Sequence, residues 1–204
     1  ALLCDEVGLG KTIEAGLVIA QLRAEGRGHV LIVVPLALAP QWQAELGDLF
    51  GIRARVLGTE LDSGLARGVY IVGREAATSP RLAPRLAALG PWDLVVVDEA
   101  NMAGTDHLAE IQQRCAAAGA KLLLVGDPRQ LAAVGPGGAL ADVAEYGLRY
   151  ELAEVRRFTH DWERAASLRL REGDVSVLGE YDKHGRLRDA GNSLVVVEHD
   201  PAVM

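Results

Sequence analysis

Of the 204 residues, half are hydrophobic and 24% carry charge, with 28 Asp and Glu against 21 Lys and Arg and a formal net charge of −7. That much apolar material excludes a disordered chain, and the acidic balance weighs against a surface coated in positive charge, while leaving room for a local basic groove. Two cysteines cannot build a disulfide framework, and the longest apolar stretch, 30–39, is well short of the roughly 20 residues of a membrane span, so a cytoplasmic, non-membrane protein is expected.

Taken in chain order, 1–3 reads as the end of a first strand whose beginning is truncated. A helical stretch follows at Lys11–Glu25. Strands are expected at Val30–Val34, Arg53–Leu57, Val69–Val72, Leu94–Val97, Leu122–Val125 and Leu194–Val197. Helical patterns lie between them at Pro40–Leu46, Ala83–Leu89, His107–Ala118 and Asp161–Arg171. Near-continuous apolar runs such as VLIVV and LVVV fit strands covered on both faces. The β-then-α alternation predicts an α/β fold, a mostly parallel sheet with helices on both sides. Ligands in such folds sit beyond the carboxyl ends of the strands, so the residues just after each strand carry the interest.

Three of those positions carry chemistry. After the first strand comes Asp5-Glu6-Val7-Gly8-Leu9-Gly10-Lys11-Thr12, opening a helix. Gly8 and Gly10 let backbone N–H groups turn toward a phosphate, with Glu6, Val7 and Leu9 completing the loop. Lys11 would reach the β- and γ-phosphates of ATP, and the Thr12 hydroxyl would ligate Mg²⁺. Asp5 stands where the strict P-loop pattern has its first glycine. After the strand at 94–97 come Asp98 and Glu99, a Walker B arrangement in which Asp98 holds Mg²⁺ and Glu99 activates the attacking water. After the strand at 122–125 comes Gly126-Asp127-Pro128-Arg129-Gln130, whose glutamine amide can both donate to a γ-phosphate oxygen and accept from water. No histidine has metal-ligand spacing with the cysteines, and no zinc site is expected.

The segment DEVGLGKT resembles motif I of superfamily 2 helicases, particularly the Swi/Snf-type DNA translocases, where an acidic first position is normal. The likeness over 1–100 includes Gln41-Trp42-Gln43, which resembles motif Ia; in that family it lies along the DNA backbone, and simple core packing is the other reading of Trp42. Residues 94–190 resemble a conjugative relaxase–helicase of superfamily 1 with RecD-like character, GDPRQL matching motif III. This resemblance implies an arginine that reaches the γ-phosphate, and in Glu154-Val155-Arg156-Arg157-Phe158 it falls better on Arg157 than on Arg156. Asn101 stands where many helicases carry a histidine after the acidic pair. Residues 186–204 resemble the switch-histidine strand of ABC-type excinuclease ATPases, with His199 in the switch position but no LSGG-like signature; an exposed histidine is the favoured reading there.

These resemblances imply a RecA-like P-loop NTPase: an ATP-binding core at 1–150, then the remainder of the core and a partial C-terminal segment at 151–204. The function they imply is the ATP-hydrolysing core of a DNA helicase or translocase, with ATP and Mg²⁺ as cofactors and DNA, single- or double-stranded, as partner. Lys11, Glu99, Gln130 and Arg157 form the expected catalytic set. A second RecA-like domain or partner chain is expected for full activity. The alternative is a non-catalytic nucleotide-binding remnant or interaction module. Arg164, Arg169, Arg171, Arg186 and Arg188 read either as a basic strip for DNA phosphates or as a solvated face.

Overall fold

The computed structural model describes residues 2–4, 11–58, 65–127, 140, 143, 145, 149–151, 160–171, 173–191 and 194–197. Its contacts divide the chain into two units, 1–152 and 153–204.

The first unit is built on seven parallel strands: β1 (Leu2–Cys4), β2 (Val30–Val34), β3 (Ala54–Leu57), β4 (Val69–Gly73), β5 (Leu94–Val97), β6 (Lys121–Gly126) and β7 (Arg149–Glu151). Their order across the sheet is β3-β4-β2-β5-β6-β1-β7. The helices are α1 (Lys11–Ala24), α2 (Ala39–Phe50), α3 (Arg74–Ala77), α4 (Ala83–Ala88) and α5 (Thr105–Ala118). The α/β expectation therefore holds, and the structure adds the short strand β7 and the four-residue helix α3 to the predicted elements.

The apolar runs are explained by burial on both sides. All five residues of β2 are buried, as are all four of β5. Leu31, Val33, Val95 and Val97 face one layer with Leu86, Trp92, Leu108 and Cys115. Val30, Ile32, Val34, Leu94 and Val96 face the other, against Ala15, Ile19 and Leu22 of α1 and Trp42 and Leu46 of α2. The strand period of two is present but hidden, because both faces are apolar. Helix α1 buries Lys11, Ala15, Ile19 and Leu22, one stripe at helical spacing. Helix α2 runs four residues past the predicted Leu46 and stops at Gly51, which takes the left-handed φ of 62° that ends many helices.

In the second unit α6 (Asp161–Arg171) and α7 (Leu178–Lys183) pack around Ala166, Val177 and Tyr181. The indole of Trp162 stacks on the His184 ring at 3.8 Å. Here one sequence expectation is corrected. Leu194–Val197 does not join the parallel sheet but forms strand β9, antiparallel to β8 (Leu187–Gly191). Four apolar residues in a row signal a strand without specifying its partner, and the short connection from β8 allows only an antiparallel hairpin. Among the described residues no helix is long and apolar enough to cross a membrane.

Cys115 lines a mainly apolar cavity of about 110 Å³ between α4, α5 and the sheet. Burial pushes its thiol up from 9.0 to about 11, so almost none of it is thiolate at pH 8. Alkylation at Cys115, followed by peptide mapping, is expected to be slow at pH 8 in the folded protein and to become fast in denaturant. Equal labelling in both conditions would contradict the burial.

Candidate active site

The sheet order brings three strand ends together. Asp98 and Glu99 leave β5, Gly126 and Asp127 close β6, and β1 leads to the helix that begins at Lys11. β6 lies between β1 and β5, so the lysine and the acidic pair come from strands two apart. The Nζ of Lys11 lies 3.9 Å from Oε1 of Glu99.

Asp98 is 6% exposed and both of its carboxylate oxygens are engaged. The indole Nε1 of Trp42 donates to Oδ2 at 2.8 Å, and the backbone N–H of Glu99 donates to Oδ1 at 2.9 Å. Burial raises the Asp98 carboxyl above its ordinary value; the Trp42 and Glu99 hydrogen bonds, then the charges of Lys11 and Arg74, pull the other way. Burial also raises Glu99, with Lys11 and Arg74 opposing it and the neighbouring Asp98 and Asp127 charges adding to it. Glu99 holds a left-handed backbone, φ 48°, which is uncommon for a residue with a side chain. Arg74, the first residue of α3, places Nη2 on the carbonyl oxygens of Asp98 at 3.3 Å and Glu99 at 3.1 Å.

Trp42 decides between its two readings. It is 1% exposed and its indole is spent on Asp98, so of the two open readings core packing holds for Trp42, which also supports the acidic pair. The end of the neighbouring strand is also tight. A Cβ on Gly126 would meet the Ala100 backbone nitrogen at 3.1 Å and Oδ1 of Asn101 at 3.0 Å, so a side chain there would require these neighbours to give by a few tenths of an ångström. Asn101 is 7% exposed, and neither its Nδ2 nor its Oδ1 has a hydrogen-bond partner among the described residues.

The site's own atoms test whether a nucleotide and a metal fit. Among the described residues the buried Nζ of Lys11 has no hydrogen-bond acceptor, leaving its N–H donors for a ligand at the start of a helix. That is a fit for phosphate oxygens, reinforced by the helix dipole. Asp98 uses one lone pair on each oxygen and keeps others for a metal or a metal-bound water. Thr12 follows Lys11 in the first turn of α1 and is partly buried. Mg²⁺ suits such a place, since it takes one or two protein oxygens together with phosphates and water.

Of the other predicted residues, Glu6, Val7, Gly8, Leu9, Gly10, Gln130, Arg157 and His199 lie outside the described residues. The basic strip receives no support from two of its members: Arg164 pairs with Asp161 at 3.2 Å and Arg169 with Asp174 at 2.8 Å. Sequence reasoning misses Arg74, although it directly follows the strand at Val69–Gly73, where the strand-end rule directs attention.

A seven-stranded parallel sheet with a buried lysine facing an acidic pair defines a RecA-like P-loop ATPase core of the helicase kind. The family model described as "AAA domain" matches residues 5–192, and the chain belongs to that family. The match runs through Leu94–Ala100, where the two helicase resemblances meet. The RNA polymerase-associated protein RapA of Pseudomonas syringae pv. syringae is 31% identical over 221 residues, covering 95% of this chain and 22% of that protein. RapA of Pseudomonas aeruginosa is 32% identical over 226 residues, with the same shares. The chain thus spans about a fifth of the length of these relatives. Among solved structures, bacteriophage T4 UvsW superposes with a TM-score of 0.56 at 16% identity, covering 74% of this chain and 31% of that one. Bacteroides Pif1 bound to ssDNA gives 0.54 at 17% identity, covering 95% and 47%. These structures share the fold.

Two substitutions test the supports of the site through stability. Trp42→Phe removes a buried donor to a charged acceptor and is expected to destabilise by about 1.5–3 kcal/mol in urea unfolding; an unchanged midpoint would show that Asp98 does not depend on it. Asn101→Leu replaces an unpaired buried amide by an apolar side chain of similar size and is expected to be neutral or stabilising. A loss above about 2 kcal/mol would mean that the amide is satisfied in solution.

Proposed function

We propose that this chain binds ATP with Mg²⁺ and hydrolyses it, as the motor core of a DNA helicase or translocase that is incomplete alone. The observation that carries the reading is the buried Lys11 ammonium, ion-paired with Glu99 at 3.9 Å and without a hydrogen-bond acceptor among the described residues, beside the hydrogen-bonded Asp98. Lys11 holds the terminal phosphates. Thr12 and Asp98 hold Mg²⁺, which when bound neutralises charge on the triphosphate. Glu99 accepts the proton of the attacking water, and its burial-raised carboxyl makes it a stronger base than an exposed one. The loop residues Glu6, Val7, Gly8, Leu9 and Gly10 wrap the phosphates, and Gln130 and Arg157 contact the γ-phosphate. DNA is the proposed partner, and a second RecA-like domain or partner chain supplies the rest of the track.

The test is the ATPase rate with and without single- and double-stranded DNA, together with nucleotide affinity. The isolated chain is expected to turn over slowly, to be stimulated by DNA and not to separate duplex strands. Glu99→Gln is expected to lose about 100-fold or more in turnover while ATP affinity stays close to wild type. Tight ATP binding with no turnover in the wild type would favour the non-catalytic remnant; robust unwinding by the chain alone would refute the incompleteness.

A further inference from the structure

We propose that Arg74 is a positioning residue for the acidic pair, holding the Asp98–Glu99 backbone so that the Glu99 carboxylate faces Lys11. This rests on the reading of Glu99 as the base. Glu99 turns back on itself with φ 48°, a conformation that side chains disfavour and that persists only where surroundings enforce it. Within the turn itself, the Glu99 carbonyl accepts from Met102 N–H at 2.9 Å. The clamp from outside is Arg74, whose single Nη2 carries two N–H groups and reaches two successive carbonyls at 3.3 and 3.1 Å.

The placement of Arg74 suits that task. It is the first residue of α3 and follows Gly73, the last residue of β4, with no linker between them. Since β4 is separated from β5 by β2, the guanidinium spans the end of a buried strand to reach the acidic pair. The neighbouring hydrogen bond from Asp98 N–H to Val33 O, 2.8 Å, fixes the start of the same segment to β2. Arg74 also brings positive charge to two carboxylates and thereby favours their ionised forms. The two N–H groups of Nη2 lie in the rigid guanidinium plane and so hold two acceptors in fixed directions; an ammonium on a flexible stem holds them less firmly.

Single-turnover hydrolysis and affinity for ATP are measured for wild type, Arg74→Ala, Arg74→Lys, Glu99→Gln and the Arg74→Ala/Glu99→Gln double variant, with thermal melts for folding. Arg74→Ala is expected to lose about 10- to 100-fold in kcat, the size of effect that a misplaced catalytic group produces, while ATP affinity changes little. Arg74→Lys is expected to recover part of the rate. The double variant is expected to be no slower than Glu99→Gln alone, because Arg74 acts through Glu99. Should Arg74→Ala not fold, Arg74→Lys becomes the deciding variant, and a wild-type kcat there overturns the proposal. An inactive Glu99→Gln beside a fully active Arg74→Ala overturns the role of Arg74 and leaves the ATPase reading standing. A fully active Glu99→Gln, or a wild type that hydrolyses nothing, overturns both. A double variant in which the two losses multiply also overturns it, since Arg74 would then act independently of Glu99.

Discussion

A carboxylate taken out of water is stable only where hydrogen bonds and opposite charge replace the lost solvation. Asp98 sits at the end of a fully buried strand, and the surrounding architecture meets that requirement from several directions. An indole from α2, its own following amide, a lysine from α1 and an arginine from α3 all bear on it. Those groups come from four separate stretches of chain. Packing of α1 and α2 on one face of the sheet, and the start of α3 directly at the end of β4, is what delivers them to one place. The core and the site are in that sense a single arrangement.

The same reasoning explains why Trp42 is a tryptophan. Its ring fills the layer between α2 and the sheet together with Leu46, Ile32 and Ile71, while its one donor reaches the acidic pair. A phenylalanine keeps the apolar character but lacks the second ring and the donor. A polar side chain reaches Asp98 and leaves a void among apolar neighbours. Packing and electrostatics select the same residue, a consistency between levels that marks a well-specified fold.

Much of this was readable in the sequence because the signals are local. Runs of β-branched residues, alternating with helical stripes, specify strands and helices, and acidic or glycine-rich residues after them mark the ligand-facing edge. Strand order is not local. Nothing in LLLV states that β6 lies between β1 and β5, yet that order sets the distance from Lys11 to the acidic pair. Partnering is not local either, and LVVV serves equally for β5 in the parallel sheet and for β9 in an antiparallel hairpin. The side-chain links were hidden for the same reason. Trp42 to Asp98 joins residues 56 apart, and Arg74 to Glu99 joins residues 25 apart, so neither follows from spacing. A buried tryptophan and a helix-opening arginine each have an ordinary explanation until the fold shows what they touch.

The charges of the site bear on the proposal that a further cation completes it. Lys11 and Arg74 supply two positive groups, and Asp98, Glu99 and Asp127 supply three negative ones. Burial weakens screening, so a triphosphate entering that field meets net repulsion from the acidic side unless a divalent cation comes with it. Arg74 offsets part of that negative charge, but its Nη2 donors are committed to the Asp98 and Glu99 carbonyls. Among the described residues of the site, the Lys11 ammonium has no hydrogen-bond acceptor and is the cation proposed to meet the phosphates. One ammonium, Mg²⁺ and the amides of the preceding loop hold a ground-state triphosphate, but charge developing on the γ-phosphoryl oxygens in transit calls for a further cation aimed at them. On the proposed reading that cation comes from Arg157 or from a second lobe. On the same reading, closure of such a lobe on the nucleotide would couple the phosphate's state to movement along a nucleic acid strand.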